Sequence, residues 1–319
     1  MMKTNEINIR DPYILLHDDR YYLYGTRSAS CWGPMDGFDC YVSDDLENWS
    51  GPVEIFHNHG DFWADNSYWA PECCFYQNAF YLVATFGSKT RNKGIQVLRS
   101  ESPTGPFTPH SPGPVTPAEW VCIDGTLYFD RESKPFLIFS LSFETDKNGG
   151  MYGMELTADL KAAAGVPQLL FNAAEAGWPV PIPFAKEMGV DGIAYLSDGP
   201  CLFRTPDGKL LIIWSSWSSK GYAVGMAVSD NNELDGKWQH LKRLLVPENG
   251  GHGMMFRNKN HEWMYTYHYP NDFGLERPRF IHVEEDFYDQ DELSKGTSAE
   301  QTEQYKPHTK HKKPPEQPL

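Results

Sequence analysis

Five stretches of the chain open on a side chain that could move a proton or hold a sugar hydroxyl. They are Asp11 in RDPYILL, Glu72 in APECCFY, Asp124 in IDGTLYF, Asp198 in SDGPCLF and His252 in GHGMMF. Four of the five are carboxyl groups. Carboxylates that face one another in a partly dry site cannot all keep ordinary pKa values, so some become proton donors while others stay ionised and act as bases. One acid and one base on opposite sides of an acetal carbon is the requirement of glycoside hydrolysis. A single Asp before Gly or Pro more often caps a turn through its own side chain. Five polar heads at matching places in five similar stretches argue for a site instead. His252, between Gly251 and Gly253, reads equally as a buried structural histidine or as a contact to a metal or substrate.

The elements that would bring these heads together are repeated. Each head is followed by a short apolar run, a polar turn (HDD, QN, DRESK, TPDGK, RNKN) and a second apolar run rich in aromatics. A further strand and a turn ending near Trp or Phe follow most copies, as in FDCYVSDDLENWSGP and YAVGMAVSDNNELDGKWQHL. The alternation and the Asp, Asn, Gly and Pro turns are those of antiparallel strands, with no helical period between them. Four short strands per unit, repeated five times, predict an all-β fold, a five-bladed β-propeller over residues 1–291. A β-sandwich with coincidental hairpins is the alternative. In a propeller the innermost strands line one channel, so the five heads would converge. The longest interval between heads, from Asp124 to Asp198, holds Asp146–Lys186, an Ala-, Gly- and Pro-rich segment that reads as a loop-like insertion at the rim. The tail 292–319, rich in Lys, Pro, Gln and Glu, reads as a disordered or loosely attached extension.

Composition narrows the partners. The chain has 319 residues and a formal net charge of −15, which argues against nucleic acid and against an anionic membrane surface. The N-terminus MMKTNEINIRDPYILL carries no apolar signal-peptide core, and no window approaches a membrane span, so a cytoplasmic location is expected. Six scattered cysteines without CxxC spacing read as reduced, mostly buried thiols. There is no GxSxG, no Walker loop and no HExxH, so serine hydrolysis, phosphoryl transfer and metal-dependent hydrolysis have no local support.

With RDPYI near the start, WAPE at Trp69–Glu72, IDGTLY at Ile123–Tyr128, DGP at Asp198–Pro200, GGHG at Gly250–Gly253 and YHYPNDFGLERP near the end, the sequence resembles glycoside hydrolase family 43. The resemblance runs from about Asn8 to Asp289 and implies an inverting hydrolase on a five-bladed propeller. It assigns the general base to Asp11, the carboxylate that raises and orients the acid to Asp124, and the general acid to Asp198. It further implies a sugar-hydroxyl contact at Glu72, a stacking surface at Trp69, an approach of Arg277 from the last blade, and a structural calcium ion in the channel, met by His252 through water. No cofactor is required for the chemistry. Asp198 departs from the pattern, since the family usually carries Glu there; the shorter acid either works in altered geometry, or yields to a nearby Glu such as Glu187, or marks a weak hydrolase.

The activity that follows is exo-removal of α-L-arabinofuranosyl or β-D-xylosyl units from hemicellulose- or pectin-derived oligosaccharides, with a small oligosaccharide as the only partner. A β-xylosidase, or a catalytically weak propeller that binds glycans, remains the competing reading. A retaining fructan or sucrose hydrolase is disfavoured because NIRDPYI is not that family's nucleophile segment. Oligomeric state is not legible in the sequence.

Overall fold

The structure, a computed structural model, describes residues 1–284 together with Phe287 and Tyr288. The predicted extension at 292–319 lies outside the described residues. Five antiparallel sheets follow one another along the chain and form the five blades of a β-propeller; among the described residues there is no α-helix. The innermost strands are Ile9–His17, Asn66–Tyr76, Cys122–Phe129, Asp198–Arg204 and Gly251–Arg257, each the first strand of its blade apart from the N-terminal Met2–Lys3. The apolar cores lie between neighbouring blades, where the second and third strands bury their side chains; Leu82, Leu98, Phe38 and Tyr68 between blades 1 and 2 are an example. The largest side chains with almost no exposure are aromatic, Trp49 and Trp214 among them, and they supply most of the burial that holds blade to blade.

The blades are less uniform than four strands each. Blade 1 has five because Met2–Lys3 pairs with Asn48–His57 on its outer edge, and blade 5 has three among the described residues. The ring is closed not by a shared strand but by apolar packing of blade 5 on blade 1, Trp49 on Phe280 and Tyr21 on Phe256 included, together with polar contacts. Asn8 Nδ2 donates to the carbonyls of Gly274 (3.1 Å) and Glu276 (3.0 Å), and Arg277 Nε donates to the Asn5 carbonyl (3.2 Å). Asp146–Lys186, expected as a rim insertion, instead contains strands Gly150–Glu155 and Gln168–Asn172, the third and fourth of blade 3. Its Ala and Gly content hid a largely buried third strand and an exposed fourth strand at the edge of the blade. Beyond Asn172 the interval runs to Leu196 as loop and turn apart from a single 3-10 turn at Ala173–Glu175. The six cysteines are all free thiols, and only Cys74 is partly exposed.

One local irregularity recurs in every blade and builds the site. Arg10, Trp69, Ile123, Asp198 and Gly251 pair with Thr26, Thr85, Ser140, Ser215 and His268 on the second strands, and three residues later the pairing has moved back by only two. Each inner strand therefore carries one extra residue, a β-bulge near its start, which re-aims the side chains beside it. The bulged residues are Asp11, Ala70, Asp124, Gly199 and His252, and all five have positive φ, between 45° and 55°. A Pro or Gly follows each one.

Candidate active site

The bulges aim three of the five predicted heads into the channel mouth and displace the other two. Asp11, Asp124 and His252 occupy the bulged position itself. Asp198 comes one residue earlier, at the place of Arg10 and Trp69, and blade 4 has Gly199 at the bulge. A Cβ on Gly199 would stand 2.6 Å from the His252 ring, and its φ of +49° favours glycine as well, so the acid of this blade has to come from the neighbouring position. Glu72 comes two residues after the bulge, which in blade 2 is Ala70. The five heads are thus not equivalent by register, although the fold still gathers four of them.

His252 sits among the acids. Its Nδ1 lies 3.3 Å from Asp11 Oδ1, 3.5 Å from Asp198 Oδ1 and 3.9 Å from Asp124 Oδ2. Burial by itself would lower the His252 pKa, but the three carboxyls outweigh it and push it up to about 10, so the ring is an imidazolium at neutral pH. With one nitrogen this near to both Asp11 and Asp198, their closest oxygens can be no further apart than the lower part of the roughly 6.5–9.5 Å used by inverting hydrolases. The three acids are buried, at 6% exposure for Asp11 and Asp124 and 9% for Asp198.

The two sides of the pit differ in charge state. Burial disfavours the charged form of Asp11, yet His252, Arg10 and a hydrogen bond from Thr26 Oγ1 to Oδ2 (2.6 Å) together hold its carboxyl below the usual range. Asp11 is a carboxylate and can take a proton. Across the pit, burial and the facing Asp198 raise Asp124 well above the ordinary carboxylate value. Asp198 is also buried, but bonds from Asp124, His252 and the Tyr222 hydroxyl hold it low. The two titrate as a pair, and the pair holds one proton between its members. The resemblance implies that Asp124 is the charge that raises Asp198; donors from Tyr222 and His252 also converge on the shorter acid.

The remaining expected residues fall in different places. Trp69 stands on the rim: its Nε1 donates to the Cys31 carbonyl (2.7 Å), and its ring meets Trp32 edge-on at 5.3 Å, with Lys93 Nζ 5.7 Å from the ring centroid. Glu72 points along the channel wall to Thr126 of blade 3, where burial pushes its pKa up to about 8 against the opposing effects of Thr126 and His252. It lies beyond the bulge layer rather than at the mouth. Arg277 is not brought to the acids; its guanidinium spans the carbonyls of Asn5 and Glu276 at the closing seam. The inward-facing residue of that ERP segment is Glu276, fully buried, which accepts from Ser28 Oγ (2.5 Å) and pairs with Arg10 (3.4 Å). Glu276 is the last residue before the strand Arg277–His282, and its side chain, not that of Arg277, turns towards Ser28 and Arg10. Glu187, the substitute acid, is exposed on the turn after Ile182 and bonds none of the three acids.

Sequence reading missed Thr26, Tyr222, His268 and Glu276, all at 2% exposure or less. Their signal was position: Thr26 and His268 stand at matching points of two second strands, alongside Thr85, Ser140 and Ser215. A separate open groove on the outer side of blade 2, lined by Phe62, Trp63, Gln96 and His110, contains none of the acids.

The family model for glycosyl hydrolases family 43 matches residues 5–288. The chain belongs to that family. An endo-arabinase from Bacteroides thetaiotaomicron VPI-5482 is 34% identical and superposes with a TM-score of 0.81, covering 89% of this chain and 97% of its own. A thermostable family-43 glycoside hydrolase, at 22% identity and TM-score 0.72, covers 92% and 95%. An α-L-arabinofuranosidase from Lactobacillus brevis, at 17% identity and TM-score 0.67, covers 88% and 94%; these two show a common fold. The chain is therefore a glycoside hydrolase of family 43, acting on carbohydrate.

The calcium ion expected in the channel can be tested against the donors present. Asp124, Asp198 and His252 each offer a ligand atom within 4.8 Å of the others. Calcium prefers six to eight oxygens, so an ion here would take at most three ligands from these side chains and the remainder from water, in keeping with the water-mediated contact to His252 that the resemblance implies.

Proposed function

We propose that the protein hydrolyses α-L-arabinofuranosyl linkages with inversion, releasing end units from hemicellulose- or pectin-derived oligosaccharides. The carrying observation is the geometry of the pit: Asp11, held by Thr26 and Arg10, and the paired Asp124 and Asp198 all lie within 4 Å of one nitrogen of His252. Asp11 removes a proton from a water, the water oxygen bonds to the anomeric carbon, and the glycosidic C–O bond breaks on the opposite face. The Asp124–Asp198 pair passes its proton to the departing oxygen, and Asp11 holds the proton taken from water until release. Two acids on either side of one sugar ring supply base and acid without a metal-bound nucleophile. Trp69 and Trp32, half-buried at the rim, offer ring faces to the sugar. Acids this deeply set favour entry of a chain end.

Internal cleavage is the second reading, favoured by the 34% identity to an endo-arabinase. A paired assay separates the possibilities. Aryl α-L-arabinofuranoside should be hydrolysed faster than aryl β-D-xyloside, with free arabinose the first product from linear arabinan. Early appearance of oligomers instead of arabinose selects endo action, and a faster xyloside selects a β-xylosidase. Proton NMR of the released sugar should show the inverted anomer first. Binding of oligosaccharide with no release from any substrate would leave a glycan-binding propeller.

A further inference from the structure

At the position opposite the start of each bulge, four blades carry a hydroxyl and the fifth carries a histidine. At three seams that hydroxyl accepts the backbone N–H of the bulged residue in the next blade: Thr26 Oγ1 from Ala70, Thr85 Oγ1 from Asp124 and Ser215 Oγ from His252, each at 2.8 Å. At the seam that closes the ring the acceptor is His268 Nδ1, 3.2 Å from the Asp11 nitrogen. Only here does a ring replace the short hydroxyl, and the residue it clasps is the base.

Because Asp11 N–H donates to Nδ1, that nitrogen carries no proton, and Nε2–H donates to Asn271 Oδ1 (3.0 Å). His268 is fully buried and kept neutral, with burial pushing its pKa down to about 3. One face of its ring stacks on Tyr222, with centroids 5.7 Å apart and planes 14° from parallel. The Tyr222 hydroxyl in turn donates to Asp198. The stacked pair therefore runs from the backbone of the base to the carboxyl of the acid side.

We infer that His268 is a positioning residue for hydrolysis: as the imidazole member of four blade-to-blade clasps, it holds the Asp11 backbone in its positive-φ bulge and, through Tyr222, fixes the spacing of base and acid. This rests on Asp11 being the base. It does not place His268 on the substrate. A bulged aspartate at φ 54° persists only where its surroundings hold it there, and a base displaced by about 1 Å can lose about 10²-fold in rate.

The test compares His268→Leu, which removes the acceptor, with His268→Asn, whose Oδ1 can stand near the position of Nδ1. Asn271→Ala, which frees the other end of the ring, and Asp11→Asn serve beside them. Steady-state kinetics on the best aryl glycoside and melting temperatures are read for all four. His268→Leu should lower kcat by about 10–100-fold with KM changed less than about threefold. His268→Asn should recover most of kcat, and Asn271→Ala should lower kcat several-fold at constant KM. If Asp11→Asn keeps its activity, the base assignment fails and this inference falls with it. If Asp11→Asn is inactive while His268→Leu turns over like the parent, the base assignment stands and the positioning role is overturned. Equal loss in the Leu and Asn variants, tracking their melting temperatures, would leave His268 purely structural. Should His268→Leu not fold, full activity in Asn271→Ala overturns the proposal, and a kcat-only loss there with an active His268→Asn upholds it.

Discussion

Asp11 and Asp124 sit at the same point of the same bulge, in blades 1 and 3, with nearly identical φ and exposure, and end in opposite charge states. Asp11 has fixed donors around it: Arg10 Nε at 3.4 Å, Thr26 at 2.6 Å and the imidazolium of His252. Asp124 faces another carboxyl and stands further from His252. The backbone supplies only a direction for the side chain. Neighbours contributed by other blades decide whether that side chain carries a proton, because burial penalises a charge that lacks a partner and tolerates one that is surrounded by donors.

The largest effect should come from removing the ionised side. Asp11→Asn keeps shape but cannot accept a proton, and kcat should fall by about 10²–10⁴-fold with the melting temperature lowered by only a few degrees. Near-parent turnover would erase the contrast between the two sides.

Next in size is the shared proton. Asp124→Asn and Asp198→Asn should each lower kcat by about 10²-fold or more, and the double variant should cost scarcely more than the worse single one, because the two act as one acid. Fully multiplicative losses would mean two independent groups and break the pair. Asp198→Glu sharpens the same side: Tyr222, Asp124 and His252 close around the shorter acid. The extra methylene should therefore cost about tenfold or more in kcat instead of restoring activity. An improved Asp198→Glu enzyme would show a site with room for the longer acid.

The smallest expected effect is on stability, away from the mouth. The folded pKa of Glu72, about 8, is above its ordinary 4.5. Its contribution to stability is then complete below about 4.5 and is lost as pH rises through 8. His252 has the same sign, with loss between 6.5 and about 10. Melting curves of the parent and Glu72→Gln between pH 5 and 9 should therefore diverge on the alkaline side, the parent losing more, while the His252 contribution is common to both. Parallel curves would show that the Glu72 carboxyl is hydrated in the channel.

Much of the fold was legible because it is repeated: five copies of head, strand, turn and strand announce five radial sheets. The strands of Gly150–Glu155 and Gln168–Asn172 were not, since an outer strand with Gly and exposed Leu gives little alternation to read. Within the site, Asp11, Asp124 and His252 were found from their place in the repeat. Asp198 and Glu72 were misaligned by one and two residues, as a one-residue bulge has no signature in composition. Arg277 was taken where Glu276, just before the last described strand, faces inward, because a one-residue difference in which side chain turns in has no mark in the ERP motif. His268 and Tyr222 lie deep in second and third strands, where a sequence alone suggests core.

The amino-acid sequence by itself determined the blade number, the family and the presence of an acid near the start of four inner strands and a histidine in the fifth, since these follow from local patterns that recur. Tertiary structure alone decided which acid is ionised, which pair shares a proton and what holds the base in place. Those properties depend on distances of 3–4 Å between atoms from separate blades, such as Asp11 and His252, 241 positions apart in sequence.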